Sequence, residues 1–133
     1  MINGISHITF IVRDLEKSMA FFRDALDAVE VYSSGDKTFS LTKEKFFTVN
    51  GMWFAIMEGV PLERSYHHVA FDVSDDDFEK YEIKLKALNV EMREPRTRKN
   101  DEGKSLYFYD LDNNMFEIHS GTLEKRLSFY KAS

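Results

Sequence analysis

The sequence predicts an α+β fold built from two βαβββ modules. Three observations carry this. The run His7-Ile8-Thr9-Phe10-Ile11-Val12-Arg13-Asp14 is echoed by His68-Val69-Ala70-Phe71-Asp72-Val73-Ser74-Asp75. Each run leads into a stretch of helical spacing that closes in Ala-Leu, at Ala25-Leu26 and Ala87-Leu88. Each half then ends in a strand pair. Lys45-Phe46-Phe47 through Trp53-Phe54-Ala55-Ile56 lines up without a gap on Tyr107-Phe108-Tyr109 through Met115-Phe116-Glu117-Ile118. The repeat argues for one domain over residues 1–133, with module one about 1–60, module two about 61–121 and a C-terminal helix about 122–130.

Residues 5–12 read as a strand containing His7. Asp14 is a candidate N-cap for a helix with Leu15, Met19, Phe22 and Leu26 at helical spacing. Val29 to Tyr32 reads as a short strand, and Ser33-Ser34-Gly35-Asp36 as a turn. Phe39 to Leu41 and Lys45 to Val49 are strand-like. Asn50-Gly51 is a hairpin signal, and Met52 to Glu58 is the strand it pairs. After a connection through Pro61, the scheme repeats. His68 to Val73 is a strand. Ser74 opens a helix to about Leu88 with Phe78, Tyr81, Leu85 and Leu88 on one face. Val90 to Met92 is a strand, residues 94–103 a polar loop, and Ser105 to Tyr109 with Met115 to His119 a second hairpin around Asp112-Asn113-Asn114.

Composition narrows the function. The chain has 133 residues, 43% hydrophobic, with twelve Phe, which fits one domain with a real core. Net charge is -5 with scattered acidic residues, which argues against nucleic acid or an anionic membrane as partner. No cysteine is present, so any metal must be held by nitrogen and oxygen. No signal sequence or membrane span is visible, and a cytoplasmic location is expected.

A duplicated unit places equivalent positions across a pseudo-two-fold axis. Here those positions hold His7, His68 and Glu117, with Ala55 at the fourth corner. One His on a strand is ordinarily a packed histidine. Two at the same offset of a repeat, with a carboxylate on the last strand, read as a metal site. Three ligands plus vacancies describe a catalytic metal. Two imidazoles and one carboxylate suit Mn(II), Fe(II), Ni(II), Co(II) or Zn(II), acting chiefly as a Lewis acid. His119 shares the parity of Glu117 and reads either as a residue supporting that ligand or as a surface residue. Ser105 and Tyr107 share a strand face. Trp53, the single tryptophan, shares parity with Ala55.

The whole chain resembles the vicinal-oxygen-chelate superfamily (glyoxalases, bleomycin-resistance proteins and extradiol dioxygenases). Tyr66-His67-His68-Val69-Ala70-Phe71, Ser105-Leu106-Tyr107-Phe108-Tyr109-Asp110 and Phe116-Glu117-Ile118-His119-Ser120-Gly121-Thr122-Leu123-Glu124-Lys125-Arg126-Leu127 resemble the fosfomycin-resistance proteins. Tyr32-Ser33-Ser34-Gly35-Asp36-Lys37-Thr38-Phe39-Ser40-Leu41 and Lys43-Glu44-Lys45-Phe46-Phe47 resemble the branch called FosX, which adds water to the antibiotic.

The resemblance implies Mn(II) as the usual metal, with another divalent metal as the alternative. It implies a small phosphonate epoxide, fosfomycin, as substrate and a homodimer of paired modules as the assembly. It assigns the anion pocket to Ser105, Tyr107 and Arg126, with Thr9 near the metal. A guanidinium can hold a phosphonate through two hydrogen bonds. By its strand parity, Trp53 reads equally as a wall around the epoxide methyl and as ordinary core packing. In the loop, thiol-transferring relatives carry a phosphonate-binding lysine and a potassium site. Here Arg96 and Arg98 are the nearest cations. Glu44 matches the glutamate that hydrolytic relatives use as general base. The gapless repeat pairs Glu44 with Leu106, off-parity from Ser105 and Tyr107, so a bulge would be needed to aim it inward. Taken alone, Lys43-Glu44-Lys45 reads as a solvated strand edge. The competing readings are a fosfomycin thiol transferase, another enzyme of the superfamily such as a dioxygenase or isomerase, and a drug-binding protein without catalysis.

Overall fold

The computed structural model describes residues 1–93 and 103–132. The elements run β1 (His7–Val12), α1 (Leu15–Leu26), β2 (Val29–Ser33), β3 (Glu44–Val49), β4 (Met52–Glu58), β5 (His68–Asp72), α2 (Asp75–Ala87), β6 (Lys104–Tyr109), β7 (Met115–Ser120) and α3 (Leu123–Ala132). This is the expected α+β order. The chain divides into two compact units. The first is Met1–Glu63 with Leu111–Asn114, and the second Arg64–Asp110 with Met115–Ser133.

In the first unit the sheet order is β1-β4-β3-β2, with β1 parallel to β4 and the other pairs antiparallel. The Asp14 carboxylate accepts the Lys17 N–H and opens α1, and Asp27 closes it in the left-handed region at φ 56. One sheet face is aromatic and meets α1. Phe22 stacks on Phe47 with centroids 5.0 Å apart, and Phe47 on Phe54 at 5.6 Å. Asn50 and Gly51, at φ 46 and 78, make the two-residue turn between β3 and β4. The tip Leu111–Asn114 joins this unit through side chains. Asp112 accepts the Arg13 N–H at 3.1 Å and the Ser18 hydroxyl at 3.2 Å, and Asn113 donates to the Leu62 carbonyl at 3.0 Å.

Lys45 lies on the aromatic face, nearly fully buried, contrary to the solvated edge the sequence implied. Its Nζ meets Glu30 at 2.8 Å and Glu16 at 3.0 Å. Burial pulls its pKa down, but the bonds to Glu30 and Glu16 outweigh that and leave it raised. A raised lysine contributes stability that is fully present below the unfolded value of 10.5 and is lost as pH rises through the folded one. Lys45→Ala is therefore expected to cost about 2 kcal/mol at neutral pH. Urea unfolding at pH 7 and above pH 11 should show the gap narrow at the higher pH.

In the second unit the order is β5-β7-β6, with β5 parallel to β7. The Ser74 hydroxyl caps α2 by accepting the Asp77 N–H, and Phe78 and Leu85 are the buried residues of the helix. Phe108, Phe116 and Phe71 stack at 5.5 and 6.2 Å.

Two expected strands are absent among the described residues. Val90 to Met92 is reduced to one bridge, Met92 with Phe108, because the Val90 N–H is already spent on the Leu85 carbonyl that closes α2. Phe39 to Leu41 forms bends with Phe39 and Leu41 exposed, since the chain rejoins the ladder only where the Ser34 N–H meets the Glu44 carbonyl.

The register also corrects the gapless repeat. Phe46 faces Ala55 and Glu44 faces Met57, whereas Tyr107 faces Glu117 and Ser105 faces His119. With Ala55 matched to Glu117, Glu44 corresponds to Ser105 and Phe46 to Tyr107. The second hairpin simply carries one more loop residue.

Candidate metal and anion site

The face of each sheet turned away from its aromatic core carries the candidate residues. Residues opposite each other in a ladder share a face. In the first unit, register places His7 beside Trp53, Thr9 beside Ala55, and Glu44 and Phe46 across from Met57 and Ala55. Glu44 thus lies on the face of His7 and Thr9 with no bulge in β3; the shift in this sheet falls in β2, between Glu30 and Tyr32. In the second unit, Ser105 and Tyr107 oppose His119 and Glu117, and Ala70 lies beside Glu117, which sets His68 on the same face.

Glu44 is 8% exposed, and its carboxylate has no hydrogen-bond or ion-pair partner among the described residues. Its backbone is fixed at both ends, the N–H by the Ser34 hydroxyl at 3.0 Å and the carbonyl by the Ser34 N–H at 3.0 Å. An unpaired buried carboxylate is costly, so the position calls for a function. Trp53 is 37% exposed, which removes the core-packing reading. It stacks on the His7 imidazole with centroids 4.0 Å apart and the planes at 26°. His7 and Thr9 are themselves exposed.

The second unit holds a tighter cluster. His68 Nδ1 lies 2.7 Å from the Tyr66 carbonyl, which can only accept, so Nδ1 carries a proton. His68 Nε2 in turn faces Glu117 Oε1, 3.0 Å away. A proton on Nε2 joins the two as an ion pair, and a metal ion taking that proton's place would stand beside both atoms. Two ligands each about 2.1 Å from a metal and at right angles to it stand about 3 Å apart. The backbone bond at Nδ1 is the usual support of a metal-binding imidazole. The pair therefore fits a divalent ion of the nitrogen–oxygen kind. Among the described residues, no group of three His, Asp or Glu side chains holds this geometry. His68 and Glu117 belong to the second unit, His7 to the first.

Glu117 is buried, and its second oxygen accepts from Ser105 Oγ at 2.7 Å. Ser105 Oγ lies 2.9 Å from His119 Nδ1, and His119 Nε2 is 3.4 Å from Arg126 Nη2. Arg126 is thus not merely a solvated charge on α3. Tyr107 is buried and accepts from the Tyr66 hydroxyl at 3.1 Å. Arg96 and Arg98 lie outside the described residues. Sequence reasoning left His119 as either a support for Glu117 or a surface residue, and gave Tyr66 no role. Tyr66 stands two residues before His68, a spacing that could have flagged it.

Comparison with known proteins places this geometry in context. The profile of the Glyoxalase/Bleomycin resistance protein/Dioxygenase superfamily matches residues 4–118. The chain is 52% identical over 131 residues to the fosfomycin resistance protein FosX of Listeria innocua, covering 98% of each. It is 41% identical over 136 residues to the metallothiol transferase FosB of Staphylococcus epidermidis, covering 98% of this chain and 93% of that one. Among solved structures, it superposes with a TM-score of 0.88 on a point mutant of Listeria monocytogenes FosX. That protein is bound to Mn(II) and 1S,2S-dihydroxypropylphosphonic acid. It is 54% identical, with 96% of this chain and 99% of that one covered.

Proposed function

Because the chain belongs to the Glyoxalase/Bleomycin resistance protein/Dioxygenase superfamily, we propose that it is a metal-dependent fosfomycin resistance enzyme, opening the epoxide with water to give a diol. The greater similarity to FosX than to FosB supports water over a thiol. The observation that carries the reading is Glu44, a buried carboxylate with no partner among the described residues, on the face of a metal-ligand candidate.

In this reading His7, His68 and Glu117 hold one divalent ion, Mn(II) by likeness to the FosX complex. When bound, the ion supplies Lewis acidity toward the epoxide and phosphonate oxygens. The remaining work falls to the chain. Ser105, Tyr107 and Arg126 hold the phosphonate, with Arg96 and Arg98 as further cations from the loop. Trp53 covers the methyl-bearing carbon, and Thr9 contacts the substrate beside His7. Glu44 takes a proton from a water molecule as its oxygen attacks an epoxide carbon and the C–O bond breaks. The opened oxygen needs one proton, which is the number Glu44 has gained. Water adds across the ring, and the carboxylate is regenerated.

The assembly belongs to the same proposal. A homodimer pairs the first module of one chain with the second of its partner, so that His7 and Glu44 face the His68–Glu117 pair across chains. No described helix is long and apolar enough to cross a membrane, and a cytoplasmic location is proposed with the rest.

Incubation of the Mn(II)-loaded protein with fosfomycin, with and without glutathione or another low-molecular-weight thiol, tests the reading. The expected product is 1,2-dihydroxypropylphosphonate at the same rate in every case. A thiol adduct formed in place of the diol would overturn it.

A further inference from the structure

We propose that His119 is a positioning residue that couples the phosphonate end of the site to the metal end. The inference rests on the function proposed above and adds a residue to it. His119 stands two residues beyond Glu117 on β7 and directly opposite Ser105 on β6. Its Nδ1 is 2.9 Å from Ser105 Oγ and 3.3 Å from Glu117 Oε2, and its Nε2 is 3.4 Å from Arg126 Nη2. A guanidinium only donates, so Nε2 accepts and Nδ1 carries the proton. The ring therefore presents one N–H within reach of two oxygens.

Ser105 is the reason this matters. It has one proton, and it now gives that proton to Glu117 Oε2 at 2.7 Å. To hold a phosphonate, the hydroxyl must turn its proton to the anion. Glu117 Oε2 would then lose its donor in a buried place, which is costly. The His119 N–H can swing its bond from Ser105 to Glu117 and replace it. The carboxylate keeps a donor with or without the anion, so its other oxygen stays 3.0 Å from His68. Gly121 leaves room for the ring, since a Cβ there would come within 2.9 Å of His119 Nε2.

The test compares His119→Asn, His119→Gln and His119→Phe. An Asn amide nitrogen sits where Nδ1 was, and a Gln nitrogen where Nε2 was. Mn(II) affinity is read without substrate, from the electron paramagnetic resonance of the free ion, and KM and kcat for fosfomycin at saturating Mn(II). The Phe and Gln variants are expected to bind Mn(II) about tenfold more weakly. Their KM should rise while kcat at saturation changes little. His119→Asn should recover most of the metal affinity. A folded Phe variant with wild-type affinity and KM overturns the proposal, as does recovery by Gln and not by Asn. If Phe does not fold, the Asn–Gln comparison alone decides. A wild-type chain that binds Mn(II) but forms no diol refutes the hydrolase function while leaving the metal-affinity test of His119 standing.

Discussion

Glu44→Gln is expected to keep its metal and its fosfomycin and to lose hydration by about 10²–10⁴ in rate. The amide has the size of the carboxylate and cannot accept a proton at neutral pH. Its backbone contacts to Ser34 do not involve the side chain and should persist. The thermal midpoint should hold or rise, since an uncharged group replaces a buried carboxylate with no partner among the described residues. Three measurements read the outcome: phosphonate product by phosphorus NMR, Mn(II) affinity, and melting. Hydration near the wild-type rate would move the base to another group. Loss of fosfomycin binding together with rate would make Glu44 a binding residue instead.

The second large effect is loss of the metal. Glu117→Ala removes the buried carboxylate that faces His68 at 3.0 Å, and His7→Ala removes the exposed imidazole stacked on Trp53. Each variant is expected to lose Mn(II) affinity by at least about a hundredfold and to form no diol at micromolar metal. Trp53 is the single tryptophan, so Mn(II) at His7 should quench its emission in wild type and not in His7→Ala. Mixing the two inactive variants after dissociation tests the shared site. In a dimer with sites built across chains, half the mixed pairs' sites recover all three ligands, and roughly a quarter of wild-type activity returns. With both modules of each site in one chain, none returns. Near-normal metal content in either variant would remove that residue from the site.

The repeat was readable because hydrophobic alternation and paired histidines are local properties. His7 and His68 announce themselves at equal offsets, and Asp14 and Ser74 cap their helices as the pattern implied. The errors share one cause. Lys43-Glu44-Lys45 looks solvated because three charges in a row ordinarily are. Burial of Lys45 depends on Glu16 and Glu30, which are distant in sequence and close only in the fold. The off-parity of Glu44 came from an alignment without a gap. One extra residue in the second hairpin loop was enough to invert it, because side chains alternate with period two.

By itself, then, the sequence determined the α+β class, the duplicated module, the absence of thiolate chemistry and the residue types of a metal site. All of these follow from composition and from periods of two and 3.6 residues. Only the tertiary structure decided which side chains meet. It aimed Glu44 at the face of His7, set His68 Nε2 against Glu117, and linked Arg126 through His119 and Ser105 to that carboxylate. Ladder register and side-chain hydrogen bonds join residues far apart in the chain, and a linear pattern does not encode them until a strand has chosen its partner.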